Sequence, residues 1–228
     1  MPLRLRSHLH WCECAGRAVF LDVKADRYFC LPKAGNDAFL ALTAGDERPQ
    51  DRDRLRPLVE RGLLVESGSP RPFQPAPSID CPARDFGGEL ILPRRLVAIL
   101  RALASELRAA WLLRTRGFQG VITQAQSRAA RCGGAPVDAA RLLQSIVGAA
   151  DAISFVTRAH DRCLVRALAV HSACTANGLR PKLVFGVIAH PFTAHCWVQL
   201  GDAVLVGGFE QARLYTPILV LESARATS

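Results

Sequence analysis

The chain has 228 residues, half of them hydrophobic, and a formal net charge of +9 at pH 7. That length accommodates one large domain or two small ones around a sizeable core. No apolar run reaches the roughly 18 residues a membrane-spanning helix needs, and the start MPLRLRSHLH lacks the apolar region of a secretory signal, so a cytoplasmic protein with no membrane partner is expected.

The positive charge is Arg scattered among Asp and Glu. No dense basic block marks a nucleic-acid groove, and no nucleic-acid partner is expected. Eight cysteines in a cytosolic chain of this size read as buried thiols with one nucleophile among them rather than as a disulfide framework.

The first element, HLHWCEC (8–14), sets His8, His10, Cys12 and Cys14 at every second position. In a strand rising ~3.3 Å per residue, His8 and Cys14 stand about 20 Å apart, whereas zinc holds its donors at ~2.0–2.3 Å. The four cannot share an ion, no metal is expected, and the alternation is one face of a strand. RAVFLDV and RYFCLP follow as two further strands, separated by turn signals at Ala15-Gly16 and Ala25-Asp26. NDAFLALT (36–43) and DRLRPLVER (53–61) read as short helices, the second kinked or shortened at Pro57 and ended by Gly62, before LLVE returns to an extended segment. Strands, helices and a terminal wing make a winged-helix module of residues 1–75.

The Pro- and Ser-rich run ESGSPRPFQPAPSIDCP (66–82) shows neither period and reads as a linker, placed at 76–90, before a second domain over 91–228. There Pro93 opens a helix with Leu96, Ile99, Leu100, Leu103, Leu107 and Trp111 at helical spacing, a stripe expected in the core, and Gly117 closes it. A further helix begins near residue 136.

HDRCLVRALAVHSACTANGL (160–179) is the segment that carries chemistry. Asp161 is a good N-cap and Asn177-Gly178 a good stop, which places Cys163 in the first turn. Backbone N–H groups and the positive end of the helix dipole favour a thiolate there, and Cys174 at the other end gets no such help. KLVFGVI is a buried strand. AHCWVQL then pairs with AVLV through the tight turn Gly201-Asp202, which puts His195 on the first strand of a hairpin. A helix-borne Cys followed by a strand-borne His 32 residues later is the order of papain-like and transglutaminase-like cysteine enzymes. Cys163 and His195 are therefore the expected catalytic pair, with no cofactor, and Trp197 on the same strand face walls the site.

RCLVRALAVHSACTANGLRPKLVFGV, PFTAHCWVQLGDAVLVGG and LYTPILVL together resemble the leader peptidase of lasso-peptide biosynthesis, the B protein of the fused type. VFLDVKADRYFCLP resembles the strand pair of its precursor-recognition element. The resemblance implies an α+β chain: an N-terminal winged-helix recognition module followed by a papain/transglutaminase-like cysteine protease domain. It further implies a protein that binds the leader of a ribosomally made precursor and cleaves it by Cys163 and His195, before a partner asparagine-synthetase-like cyclase closes a macrolactam ring. The leader would add as a strand beside Arg27, Tyr28, Phe29 and Cys30, against the helix carrying Leu55 and Val59.

The family pattern also implies an orienting acid about twelve positions beyond the histidine, and position 207 is Gly. A two-residue turn puts residue 208 opposite 195, and leaves Asp202 roughly 20 Å away along the strand. A second reading stays open on that ground, a noncatalytic protein that binds and delivers the precursor.

Overall fold

A computed structural model describes residues 3–46, 48–66, 73, 76, 78–86, 96–130, 137–156 and 162–222. The chain divides into two compact units, one of residues 1–78 with 187–193 and 216–219, the other of 79–186 with 194–215 and 220–228.

In the first unit, β1 (Leu3–Leu5) pairs antiparallel with β5 (Leu64–Glu66), while β2 (Leu9–Cys14), β3 (Arg17–Asp22) and β4 (Arg27–Cys30) form a meander in the order β2-β3-β4. The β2–β3 turn is tight because Ala15 and Gly16 both take positive φ, 51° and 72°. Two helices, α1 (Lys33–Ala44) and α2 (Pro49–Glu60), come after the meander. Leu9 and Trp11 alternate inward along β2 and meet the helices in a core containing Phe20, Phe39, Leu55 and Leu64. Phe39 makes edge-to-face contacts with two neighbouring rings, its centroid 5.0 Å from that of Trp11 and 4.8 Å from that of Phe20. Asn36 is the polar tie in this unit: its side-chain oxygen accepts from Ala18 N–H at 2.8 Å and its amide donates to Gly16 C=O at 3.2 Å. Helix α2 starts four residues earlier than the sequence suggests and runs on through Pro57 to Glu60. A proline near a helix end removes only one backbone hydrogen bond, and the buried Leu55 and Leu58 hold the turn that contains it.

The second unit is built from α3 (Leu96–Ala130), α4 (Ala139–Val156) and α5 (Cys163–Ala176). Gly117 breaks α3, with φ 65° and ψ 179°, at the position where the sequence signals a stop. The chain then forms β7 (Lys182–Ile188), β8 (Thr193–Leu200), β9 (Ala203–Val206), the one-turn α6 (Phe209–Ala212) and β10 (Thr216–Leu221). With β6 (Arg84–Asp85) these strands make a sheet in the order β10-β7-β8-β9-β6.

Three expectations need correction. The stripe Leu96, Leu100, Leu103, Leu107 and Trp111 is not core: Leu96 is 77% and Trp111 60% exposed, and α3 instead buries Glu106, Ala109 and Leu112. Helical periodicity marks an apolar face without saying which face the neighbouring helices cover. Part of the linker is also sheet. Arg84 and Asp85 pair in parallel with Ala203 and Val204, flanked by bonds from Ala83 N–H to Asp202 C=O and from Phe86 N–H to Val204 C=O. Finally, the β8–β9 register slips. Leu200 faces Ala203 and Gln199 faces Val204 as a two-residue turn demands, but a bulge then sets Val198 opposite Val206. An added residue bends the strand and re-aims the residues beyond it, so residue 208 is not opposite His195.

Candidate active site

Helix α5 begins at Cys163, and the half-buried Cys163 side chain stands at its N-terminal end. Asp161, the expected cap, lies outside the described residues. The cap position belongs to Arg162, whose side chain makes no capping hydrogen bond. Asn177 ends the helix, with Gly178 next at φ 81°. The other cysteine of this helix, Cys174, is fully buried, and desolvation pushes its thiol up to about 12. It is a core residue held as the neutral thiol.

His195 sits on β8, half-buried. Its Nε2 lies 2.9 Å from the carbonyl oxygen of Gly207. A carbonyl only accepts, so Nε2 carries the proton and donates it. In the neutral ring, Nδ1 is then the nitrogen with the free lone pair, the one able to take a thiol proton. Burial lowers the pKa of His195 below 6.5, and the Gly207 hydrogen bond opposes that shift without reversing it. Among the described residues no carboxylate contributes to the shift. The imidazole is neutral at pH 7, in the state a general base requires.

The Gly207 carbonyl thus stands where the expected acid would act. Its backbone allows nothing else at that position: φ is 113°, and a Cβ there would come within 2.5 Å of Trp197 Cβ and 3.2 Å of His195 Nε2. A side-chain acid has no room on this backbone.

Rings clamp the imidazole. Trp197 stacks with it at 6.0 Å and 19° between planes, and Tyr215 tilts against it at 5.2 Å. Trp197 is wholly buried and donates from Nε1 to Gln199 Oε1 at 2.9 Å, while the Gln199 amide donates to the carbonyls of Asp80 and Gly201, both at 2.8 Å. Gly186 makes space for the indole, since a Cβ there would meet Trp197 Cζ3 at 2.7 Å. Trp197 was legible as a wall of the site from strand alternation. Gly186, Gln199, Gly207 and Tyr215 were not, because they act through space left open or through backbone atoms.

The neighbour that Cys163 finds on β8 is Cys196, whose side chain points to the strand face opposite that of His195. Cys163 is near enough to Cys196, the residue after His195, to contribute to the upward shift of the fully buried Cys196 thiol, behind desolvation as the main cause. Among the described residues no hydrogen bond joins Cys163 Sγ to His195. Catalytic hydrogen bonds in substrate-free enzymes are commonly long and tighten on binding.

Behind Cys163, Arg162 and Arg166 flank the buried carboxylate of Glu106, with Arg166 Nε 3.6 Å and Arg162 Nη1 3.9 Å from its oxygens. A buried acid facing two cations ties the first turn of α5 to α3.

The residues expected to hold a leader lie in the first unit. Among the described residues β4 pairs with β3 only, at an edge of the meander. Arg27 and Cys30 are exposed, and Phe29 turns inward, stacked on Phe20 at 5.0 Å with Arg27 over its ring. Tyr28 faces the other way and packs against Phe192, of the same unit, at 5.5 Å. Val59 is half-buried at the margin of the core. Leu55 is fully buried within the core and offers no surface to a docked peptide.

This part of the chain is a helix that opens on a cysteine, succeeded by antiparallel strands that carry a histidine. The family model of the transglutaminase-like superfamily matches residues 103–220, and the chain belongs to that superfamily. No curated protein and no solved structure matches the chain. No helix among the described residues is long and apolar enough to cross a membrane.

Proposed function

We propose that the protein is a cysteine peptidase that removes the leader from a ribosomally made precursor, with Cys163 as nucleophile and His195 as base and acid. The observation that carries the reading is the Nε2–Gly207 hydrogen bond, which leaves His195 Nδ1 with a lone pair on a ring that is neutral at pH 7. In this scheme Nδ1 takes the Cys163 proton as the sulfur attacks the scissile carbonyl. The C–N bond breaks, the departing amine receives that proton from the imidazolium, and water then hydrolyses the thioester by the reverse proton path. Backbone N–H groups at the start of α5 supply donors for the oxyanion.

The resemblance to lasso-peptide B proteins supplies the substrate class. The leader adds as a strand to the open edge of β4, where main-chain hydrogen bonds give affinity and Arg27, Tyr28, Phe29, Cys30 and Val59 give register. Leu55 drops out of this groove because it is core. Winged-helix character of the first unit, transfer of the trimmed peptide to a partner cyclase, and a cytoplasmic setting belong to the same proposal.

A second reading has two observations in its favour, the absence of an acid on His195 and of a hydrogen bond from it to Cys163 among the described residues. In that reading the chain binds and delivers the precursor without cutting it. Mass spectrometry of the precursor encoded beside this gene, incubated with wild type and with Cys163→Ala, separates the two. Release of an intact leader by wild type alone establishes the peptidase. An uncut precursor that still binds both proteins establishes the delivery protein.

A further inference from the structure

Leu96, Leu100, Leu103, Leu107 and Trp111 form one line on α3, exposed by 37% at Leu103 to 77% at Leu96, while Ala109 and Leu112 on the opposite face are core. A contiguous apolar line of this kind marks an interaction surface, as scattered surface leucines do not. Its spacing of 4, 3, 4 and 4 residues follows the heptad rhythm of a helix–helix seam. At about 100° per residue the five side chains fall within an arc of about 80°, the narrow stripe of such a seam. Over 111 − 96 = 15 residues it runs about 22 Å, or four turns. The charged rim has one sign. Arg101 and Arg108 are exposed on one flank, about 60–80° beyond Trp111, and the exposed Arg114 closes the C-terminal end. Glu106, the one acid of α3, is buried on the other flank and faces Arg162 and Arg166. Among the described residues no ion pair reaches the three rim arginines.

We propose that this stripe docks an amphipathic helix of a partner protein, about four turns long, with aliphatic residues in heptad spacing and Asp or Glu along the edge that meets Arg101 and Arg108. Burial of the leucines supplies affinity, and the arginines set the orientation and reject a basic partner. The net charge of +9 favours the approach of an acidic one. A second copy of the chain fits poorly. Packed antiparallel, it would set Arg101 and Arg108 against their own counterparts, and packed parallel it would need the flank that Ile99 and Glu106 turn into the protein. A bilayer surface is served by a broad apolar face between two cationic borders, whereas this stripe is narrow and charged along one border. The inference does not depend on peptide cleavage, since the stripe holds neither Cys163 nor His195.

The experiment uses the full chain and two fluorescein-labelled synthetic helices of about three heptads, with Leu at a and d and Ala elsewhere, that differ only in carrying Glu or Lys at e and g. By fluorescence anisotropy at physiological ionic strength, the Glu helix is expected to bind saturably and at least tenfold more tightly than the Lys helix. Leu100→Ser with Leu107→Ser is expected to abolish that binding while the circular dichroism spectrum is retained. Arg101→Glu with Arg108→Glu is expected to reverse the preference, and this pair decides the matter should the serine variant fail to fold. Binding of neither helix would overturn the proposal, as would equal binding of both or a preference that survives the charge reversal. So would a dimer in sedimentation, or co-sedimentation with phosphatidylserine vesicles, that the serine variant abolishes, since a second copy or a bilayer would then cover the stripe. Because cleavage is not the readout, a failure of the peptidase reading leaves this result intact.

Discussion

Replacing Gly207 by Asp restores the acid of the family pattern, and on this backbone it should harm the protein. The residue sits at φ 113°, where an L side chain costs ~1–3 kcal/mol. Its Cβ would lie 2.5 Å from Trp197 Cβ, and relieving that overlap in a packed site costs a further ~1–3 kcal/mol. The expected loss is about 4 kcal/mol, which for a chain of this size lowers Tm by roughly 8–16 °C. Gly207→Ala should show most of that loss, because the Cβ rather than the carboxylate is the obstacle. Activity should fall at least tenfold in both, since moving the backbone takes the carbonyl off His195 Nε2. Differential scanning fluorimetry and the leader-release assay read the two effects separately. A Gly207→Asp protein with unchanged Tm and faster cleavage would refute this reasoning, by showing that the backbone relaxes freely and that an acid orients the ring better than the carbonyl does.

In the folded protein, iodoacetamide at pH 8 should modify Cys30, Cys81 and Cys163 and spare Cys12, Cys174 and Cys196, whose thiols burial pushes up. Peptide mapping that finds Cys174 modified as fast as Cys163 would contradict this. The lowered pKa of His195 predicts that kcat/KM declines as pH falls with a midpoint below 6.5, and a midpoint above 6.5 would contradict it. His171 is buried with Nε2 unpartnered, and its pKa falls to about 4. The unfolded chain therefore binds the proton first, and stability drains away as pH drops from about 6.5 toward 4, by at most roughly 3 kcal/mol. His171→Leu should flatten that stretch of the urea-denaturation profile and leave the profile above pH 7 parallel to wild type.

The sequence alone determined the local order of the molecule. Strand alternation through LHWCEC and RAVFLD, the turn at Ala15-Gly16, the stop at Asn177-Gly178 and the hairpin turn at Gly201-Asp202 are set by neighbours a few residues apart, so Cys163 at a helix start and His195 on a strand could be read directly. Tertiary structure decided what depends on distant partners. Periodicity showed that α3 carries an apolar stripe, but only the packing of α4 and α5 chose the opposite face for burial. The same holds for Leu55, whose spacing suits a groove or a core equally well. Arg84 and Asp85 became an edge strand by pairing with residues more than a hundred positions away, a parallel contact with no local signal. The orienting group of His195 is a backbone carbonyl, delivered by a bulge between Val198 and Gln199 and a glycine φ of 113°. Every residue carries the same carbonyl, so no side-chain pattern announces which one a fold will aim at an imidazole.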